Sequence, residues 1–257
     1  MAFDLNSITS GKSTLPPRVV VYGRQKMGKS TFGAEAKKPL FLPFEDGIGE
    51  LDVSAFPKIQ TWGDLGEVFQ TLMGGEHGFE TVVLDSADWM EAVIHKHIVA
   101  SDPKANNVVE ANGGYGKGYI LAATMFSQVL DTLDDLREQQ GVMPIVICHS
   151  KVVRFQDPVQ GGYDKYTLKL HDRTSELLKE WADVMGFANT EMAIITDSNG
   201  FKEQKRAVDT GNSKHYLYLQ QRPSFDAGCR MDMPAKIEFR YAEFDRELQA
   251  TREAVKF

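Results

Sequence analysis

Cysteine is almost missing: the 257 residues hold two, Cys148 and Cys229, and no C-x-x-C. That excludes a disulfide framework and predicts a reducing, cytoplasmic setting. Missing too is any apolar run approaching the span of a membrane helix, and the first residues lack the basic-then-apolar order of a signal peptide. No membrane partner is expected. Nor is there an excess of positive charge. Lysine and arginine number 29 against 36 acidic residues, a net charge of −7, so the protein as a whole is not a nucleic-acid-binding electrostatic surface. Contact with DNA or RNA would fall to local basic loops, or to a channel formed on assembly. Internal repeats, low-complexity segments and the Asn-Lys-x-Asp of a GTPase are all lacking. The remaining composition, 42% hydrophobic and 25% charged, is that of an ordinary folded protein.

One stretch is far more informative than the rest. Gly23-Arg24-Gln25-Lys26-Met27-Gly28-Lys29-Ser30-Thr31 follows the apolar run Val19-Val20-Val21-Tyr22 and precedes helix formers that end at Pro39. Strand, G-x-x-x-x-G-K-[ST], helix is the order of a phosphate-binding P-loop. Gly23 and Gly28 let the backbone curl so that successive N–H groups face a phosphate. Lys29 sets a cation between the terminal phosphates, and the Ser30 hydroxyl can ligate Mg²⁺. The helix that follows aims its positive end at the same anion. A plain glycine turn would not need that flanking order. Gly11-Lys12-Ser13-Thr14 resembles the second half of the motif, but Asn6 stands where its first glycine belongs and no apolar strand precedes it. Residues 1–17, polar and closed by Pro16-Pro17, read as a flexible arm, leaving 18–257 as one domain.

Along the chain, apolar runs alternate with helical stripes. Pro39 to Phe44 is a second short run, closed by Glu45-Asp46-Gly47. Leu65, Val68, Phe69 and Leu72 fall at helical spacing, and Gly74-Gly75 stops them. Thr81 to Leu84 is a continuous apolar run reaching Asp85, as in a buried parallel strand, and 87–100 looks helical. A glycine-rich loop, Asn112 to Tyr119, opens a long helix whose apolar face is Met125, Val129, Leu133 and Leu136, ending at Gly141. Pro144 to Cys148 is another buried strand, and 151–170 reads as a long loop or hairpin. A helix from Ser175 to Trp181 and a strand from Val184 to Ala188 follow. Met192–Thr196, Lys205–Val208 and His215–Gln220 look like an antiparallel addition, the first pair turning at 197–200, before a final helix over 241–254. The fold class expected is α/β: a mainly parallel sheet with helices on both faces and antiparallel C-terminal strands.

Several residues could carry chemistry. Asp85, at a strand end, is the natural partner of Ser30 for holding Mg²⁺, though an acid there can also be only a helix cap. Glu45 ends the second run, where open α/β sheets place ligands, and can polarise a water for in-line attack. It can equally be a solvated turn acid, and Asp46 is the alternative base. His149 can hydrogen-bond the terminal phosphate or its attacking water and report hydrolysis to the loop behind it, or merely satisfy local backbone groups. Cys148 beside it reads as core. Tyr115, Lys117 and Tyr119 alternate aromatic and basic groups, suited to stacking unpaired bases and meeting a phosphate, or else to packing on the sheet. Lys151, Arg154, Lys165, Lys169 and Arg173, interleaved with Phe155, Tyr163 and Tyr166, make a local basic excess that suits nucleic acid. Glu91, His95 and His97 read as a solvated helix face rather than metal ligands. Among Lys205, Arg206, Arg222 and Arg230, the last is the candidate arginine finger toward a neighbouring subunit, with surface charge as the default.

Taken together, the P-loop, Glu45, Leu84-Asp85-Ser86, the glycine loop and Ile147-Cys148-His149-Ser150-Lys151 resemble the RecA-type ATPase core. More narrowly they resemble the phage-encoded RecA-like ATP-binding proteins of the Sak single-strand annealing group, closest at Tyr115-Gly-Lys-Gly-Tyr119, Cys148-His-Ser-Lys151 and Ala182-Asp-Val. The resemblance implies ATP and Mg²⁺ as cofactors and hydrolysis with Glu45 as water activator. It makes His149 the γ-phosphate sensor, where RecA itself has glutamine. It also implies single-stranded DNA held by the loops at about 110–119 and 151–170. The expected partners are a homo-oligomer, as a ring or short filament, and a phage single-strand-binding protein, in the host cytoplasm. Residues 1–17 are too short and polar for the long oligomerisation helix of full recombinases. The expected activity is DNA-stimulated ATP hydrolysis serving recombination or annealing. Its rivals are a nucleotide-gated adaptor, a protein-remodelling ATPase, which would need a helical lid where 192–240 read as strands, and a small-molecule kinase.

Overall fold

The structure is a computed structural model that describes residues 11, 13–157, 161–198, 203–209 and 214–253, of which 192–198 and 203–209 are described as backbone. Most of the predicted arm lies outside those residues, as do Lys12, the 199–200 part of the predicted turn and the side chains of Lys205 and Arg206. Twelve strands and six helices are described. They are β1 (Val19–Gly23), α1 (Lys29–Ala34), β2 (Pro39–Pro43), β3 (Ser54–Ala55), α2 (Trp62–Gly74), β4 (Thr81–Asp85), α3 (Ala87–Ala100), α4 (Lys117–Gln140) and β5 (Met143–Asp157), then β6 (Gly161–Leu168), α5 (Asp172–Trp181), β7 (Val184–Thr190), β8 (Met192–Ser198), β9 (Glu203–Asp209), β10 (His215–Tyr218), β11 (Gly228–Cys229), β12 (Lys236–Glu238) and α6 (Tyr241–Glu253).

The main sheet runs β12-β10-β7-β1-β5-β4-β2-β3, parallel from β7 to β3 and antiparallel at β10 and β12. This is the expected α/β architecture with antiparallel C-terminal strands. Strand side chains alternate between two faces. Val20 and Tyr22 of β1 join the core under α2, α3, α4 and α5, whereas Val19 and Val21 join the core that holds Phe32 of α1 and Phe244 of α6. Both faces are covered, which is why β1, β4 and the start of β5 read as unbroken apolar runs.

Local sequence explains most boundaries. Thr61 caps α2 reciprocally with Asp64: the Asp64 amide donates to Thr61 Oγ1 at 3.1 Å and the Thr61 amide to Asp64 Oδ2 at 2.9 Å. The α4 stripe is buried as its spacing predicts, and Gly141, at φ +68°, ends the helix. The glycine loop differs from expectation. It closes at Gly116, and Lys117 and Tyr119 already lie in the first turn of α4. Gly118 lies in that turn too, and it serves packing rather than loop curvature: a Cβ there would sit 2.0 Å from the Val108 carbonyl oxygen, so a bare backbone packs there. Gly118→Ala should therefore destabilise the fold by about 1–3 kcal/mol, read as a melting temperature several degrees lower. An unchanged melting curve would contradict that close packing.

The segment 151–168 is a hairpin, since β5 continues past the sheet and pairs antiparallel with β6 from Ser150↔Leu168 to Asp157↔Gly161. Helix α5 starts three residues before Ser175, capped by the His171 ring nitrogen, which accepts from the Arg173 amide. β8 and β9 pair antiparallel as predicted, in a sheet of their own, but Asp197 and Ser198 continue β8 opposite Gln204 and Glu203 rather than opening the predicted turn.

Candidate functional site

Register brings the predicted residues to one edge of the sheet. Gly23 aligns with His149 on β5 and Ala188 on β7, and Asp85 aligns with Pro43 on β2 and Ile147 on β5. The carboxyl ends of the parallel strands thus deliver the P-loop, Asp85, His149 and the turn holding Glu45 to neighbouring positions.

Within the P-loop, Gly28 is left-handed at φ +89°, as the curled backbone requires. Gly23 is needed for another reason, because a Cβ there would lie 2.5 Å from the Ala188 carbonyl oxygen. Arg24, Gln25, Lys26, Gly28 and Thr31 are exposed along the loop, while Met27 turns into the core with Phe32. Met27 thus anchors the loop by its side chain. Lys29 is only 5% exposed, and its ammonium donates to the carbonyls of Arg24 at 2.8 Å and Gly23 at 3.3 Å. Burial pulls its pKa down, against the attraction of Asp85.

Ser30 Oγ donates to Asp85 Oδ2 at 2.6 Å. Burial raises the pKa of Asp85, opposed by the Ser30 hydrogen bond. A buried carboxylate and a hydroxyl side by side are the hard oxygen donors that suit Mg²⁺, whose charge would offset the cost of burying Asp85.

Glu45 and Asp46 part company. Asp46 pairs with Lys58 at 2.5 Å on the exposed side, whereas Glu45 Oε1 lies 3.9 Å from His149 Nε2. On the other side of the imidazole, Nδ1 is 3.0 Å from Asp88 Oδ2, and the His149 amide donates to Asp88 Oδ1 at 3.1 Å. Burial pushes the Asp88 carboxyl up, but the His149 hydrogen bond and charge outweigh it and hold it below the usual range. Asp88 is absent from the sequence reading. Its only signal is a third-position acid after Asp85, which looks like an ordinary first-turn helix acid.

A family profile described as AAA domain matches residues 15–231. The chain belongs to the AAA domain family. A P-loop NTPase site is what such a domain brings, in keeping with the geometry at Lys29, Ser30 and Asp85. This AAA domain is also similar to the SPbeta prophage-derived uncharacterized protein YorG of Bacillus subtilis (strain 168), 26% identical over 102 residues. That match spans 38% of this chain and 31% of YorG, about a third of its length. Among solved structures the RadB recombinase is similar at 12% identity and a TM-score of 0.43, over 82% of this chain and 84% of that one.

The remaining predicted residues of the AAA domain are not all free. Tyr115 is 99% exposed at the tip of the glycine loop, and Lys117 is exposed beside it. Tyr119 instead stacks on His171, with ring centroids 4.0 Å apart, and meets the edge of His95. Lys165 is likewise engaged, 2.5 Å from Asp226 and over the Phe155 ring. Lys151 donates to the Leu170 carbonyl at 2.6 Å, Arg154 pairs with Asp164 at 3.3 Å, and Lys169 lies half-exposed 3.6 Å from Asp88. Arg230 is held within its own chain by Asp183 at 2.9 Å and the Glu180 carbonyl at 2.6 Å. Glu91 is buried rather than solvated, accepting from the His171 amide at 3.1 Å and from Thr174 Oγ1. It fastens α3 to α5.

Proposed function

We propose that this chain is a RecA-like, Mg²⁺-ATP-dependent phage recombination protein of the Sak type that binds single-stranded DNA and promotes annealing or strand pairing. The observation that carries this reading is the β5–β6 hairpin, which grows directly out of His149 while His149 faces Glu45. A device that joins a hydrolytic site to an exposed ribbon suits a switch on a polymer better than a kinase pocket.

In this reading the phosphate oxygens of ATP take the Lys29 ammonium from the carbonyls of Gly23 and Arg24, and the loop amides from Gly23 to Thr31 wrap the phosphates. Ser30 and Asp85 would hold Mg²⁺, which would offset phosphate charge. Glu45 accepts the proton of the attacking water as its oxygen bonds to the γ-phosphorus and ADP leaves. His149 senses the γ-phosphate. Arg230 would have to leave Asp183 to act as an arginine finger in a neighbouring subunit, so a ring or short filament that uses it must first break that pair. The domain runs over 18–257, and the assembly, a phage single-strand-binding protein as partner and the host cytoplasm as setting belong to the same reading.

Single-stranded DNA then meets Tyr115, Lys117, Arg154 and Lys169 foremost. Lys151, Lys165 and Tyr119 hold the two loops in place from behind. Fluorescence anisotropy of a labelled oligonucleotide, across a salt series and with or without a non-hydrolysable ATP analogue, tests this. Affinity should rise with the analogue and fall steeply with salt. Tyr115→Ala should cost about 1–3 kcal/mol by loss of base stacking. Lys117→Ala with Arg154→Ala should flatten the salt slope and leave basal ATPase intact. Binding in neither nucleotide state would sink the reading and promote the nucleotide-gated adaptor.

A further inference from the structure

We infer that Lys169 and Asp88 form the link through which bound single-stranded DNA speeds ATP hydrolysis: a DNA phosphate draws Lys169 off Asp88, and the released carboxylate acts on His149. The inference rests on the single-strand reading above and adds to it the regulation of the same site.

Four contacts carry it. The Lys169 amide, just beyond β6, donates to the His149 carbonyl at 2.8 Å, so the far end of the hairpin is pinned to the residue that faces Glu45. The Lys169 ammonium reaches Asp88 Oδ2 at 3.6 Å, and that same carboxylate holds the His149 ring at 3.0 Å and its amide at 3.1 Å. The partners differ in exposure. The Asp88 side chain is 5% exposed and that of Lys169 is 52%, so one carboxylate is shared between an interior imidazole and a cation open to an outside ligand. Lys151, at the opposite foot of the hairpin, is tied to the Leu170 carbonyl, so it does not offer the same exchange.

The direction of the effect follows from charge. While Lys169 sits on Asp88, part of the carboxylate's field is spent outward. A phosphate is a stronger partner for an exposed ammonium than a shared carboxylate. With Lys169 withdrawn, the full charge of Asp88 faces His149 in a buried setting where such interactions are strong. That fixes the ring orientation, with Nδ1 held toward Asp88 and Nε2 on the side where Glu45 lies. Lys169 is thus a brake, and Asp88 is the positioning residue that transmits its release.

The test is steady-state ATPase of the full chain with and without saturating oligonucleotide, for Lys169→Gln, Lys169→Arg, Asp88→Asn and the double variant Lys169→Gln/Asp88→Asn. Allosteric couplings usually amount to about 5–150-fold, so Lys169→Gln should raise DNA-free turnover by several-fold and bring the stimulation ratio close to one. Lys169→Arg should keep both near wild type. Asp88→Asn should lower kcat with little change in the KM for ATP, and in that background Lys169→Gln should have no further effect, because the two act as a unit. A lysine that only grips DNA would weaken DNA affinity yet leave the ratio at saturation intact, and that result overturns the inference while the single-strand reading stands. If the wild-type chain binds no single strand, the reading falls and the inference with it.

Discussion

Lys29→Ala is expected to remove tight ATP binding, with affinity lower by a factor on the order of 10²–10⁴, because it leaves a buried phosphate charge without its main countercharge. The structure makes the loss specific to the bound state. Without ATP the ammonium is satisfied by the carbonyls of Arg24 and Gly23, and burial disfavours its charge. Removing it therefore relieves a desolvation cost, so Lys29→Ala should melt no lower than wild type while failing to gain stability when ATP is added. A fluorescent ATP analogue titrated into both proteins, alongside melting curves, separates lost binding from lost folding. Lys12→Ala is the control. If it abolishes binding and Lys29→Ala does not, the site belongs to the N-terminal look-alike.

Legibility in the sequence followed the range of the forces involved. β1, the P-loop and Asp85 could be read because short-range pattern governs them: an apolar run, a glycine pair at fixed spacing, an acid at a strand end. The long stripe of α4 was equally plain, since four buried residues repeat at helical spacing. The short strands β3, β11 and β12 were not, for two or three residues carry no period and pair only because a sheet edge is there. At the site, residue types gave the candidate residues but not their wiring. Asp88 meets His149 across the α3–β5 packing, Tyr119 meets His171 across α4 and α5, and Lys165 meets Asp226, all contacts between distant segments. Local pattern cannot say which cation is already paired, and so the basic loop looked freer than it is. Glu45 and Asp46 show the same limit. Adjacent in sequence, they are told apart only by where Lys58 and His149 stand.

That last distinction leads to the most discriminating variant. Glu45→Gln keeps the side-chain shape and its place beside His149 but removes the carboxylate proposed to accept the water proton. General-base catalysis is worth a factor of about 10²–10⁴, so turnover should fall by that much while ATP affinity stays within a few-fold of wild type. The predicted split is in kcat rather than KM, since Glu45 is asked to act on the water in the transition state and not on the bound nucleotide. Asp46→Asn provides the internal comparison, because Asp46 is mostly exposed and turned toward Lys58. It should cost little of either constant, as an exposed ion pair of this kind contributes about 0–1 kcal/mol. Rapid-quench measurement of a single turnover, with ATP prebound, reads the chemical step apart from product release. If Glu45→Gln cleaves ATP at the wild-type rate there and Asp46→Asn does not, the base is Asp46 and the turn must reorganise when ATP binds. If neither matters, the site binds ATP without this route to cleavage, and the chain acts as a nucleotide-gated adaptor whose hairpin responds to binding alone.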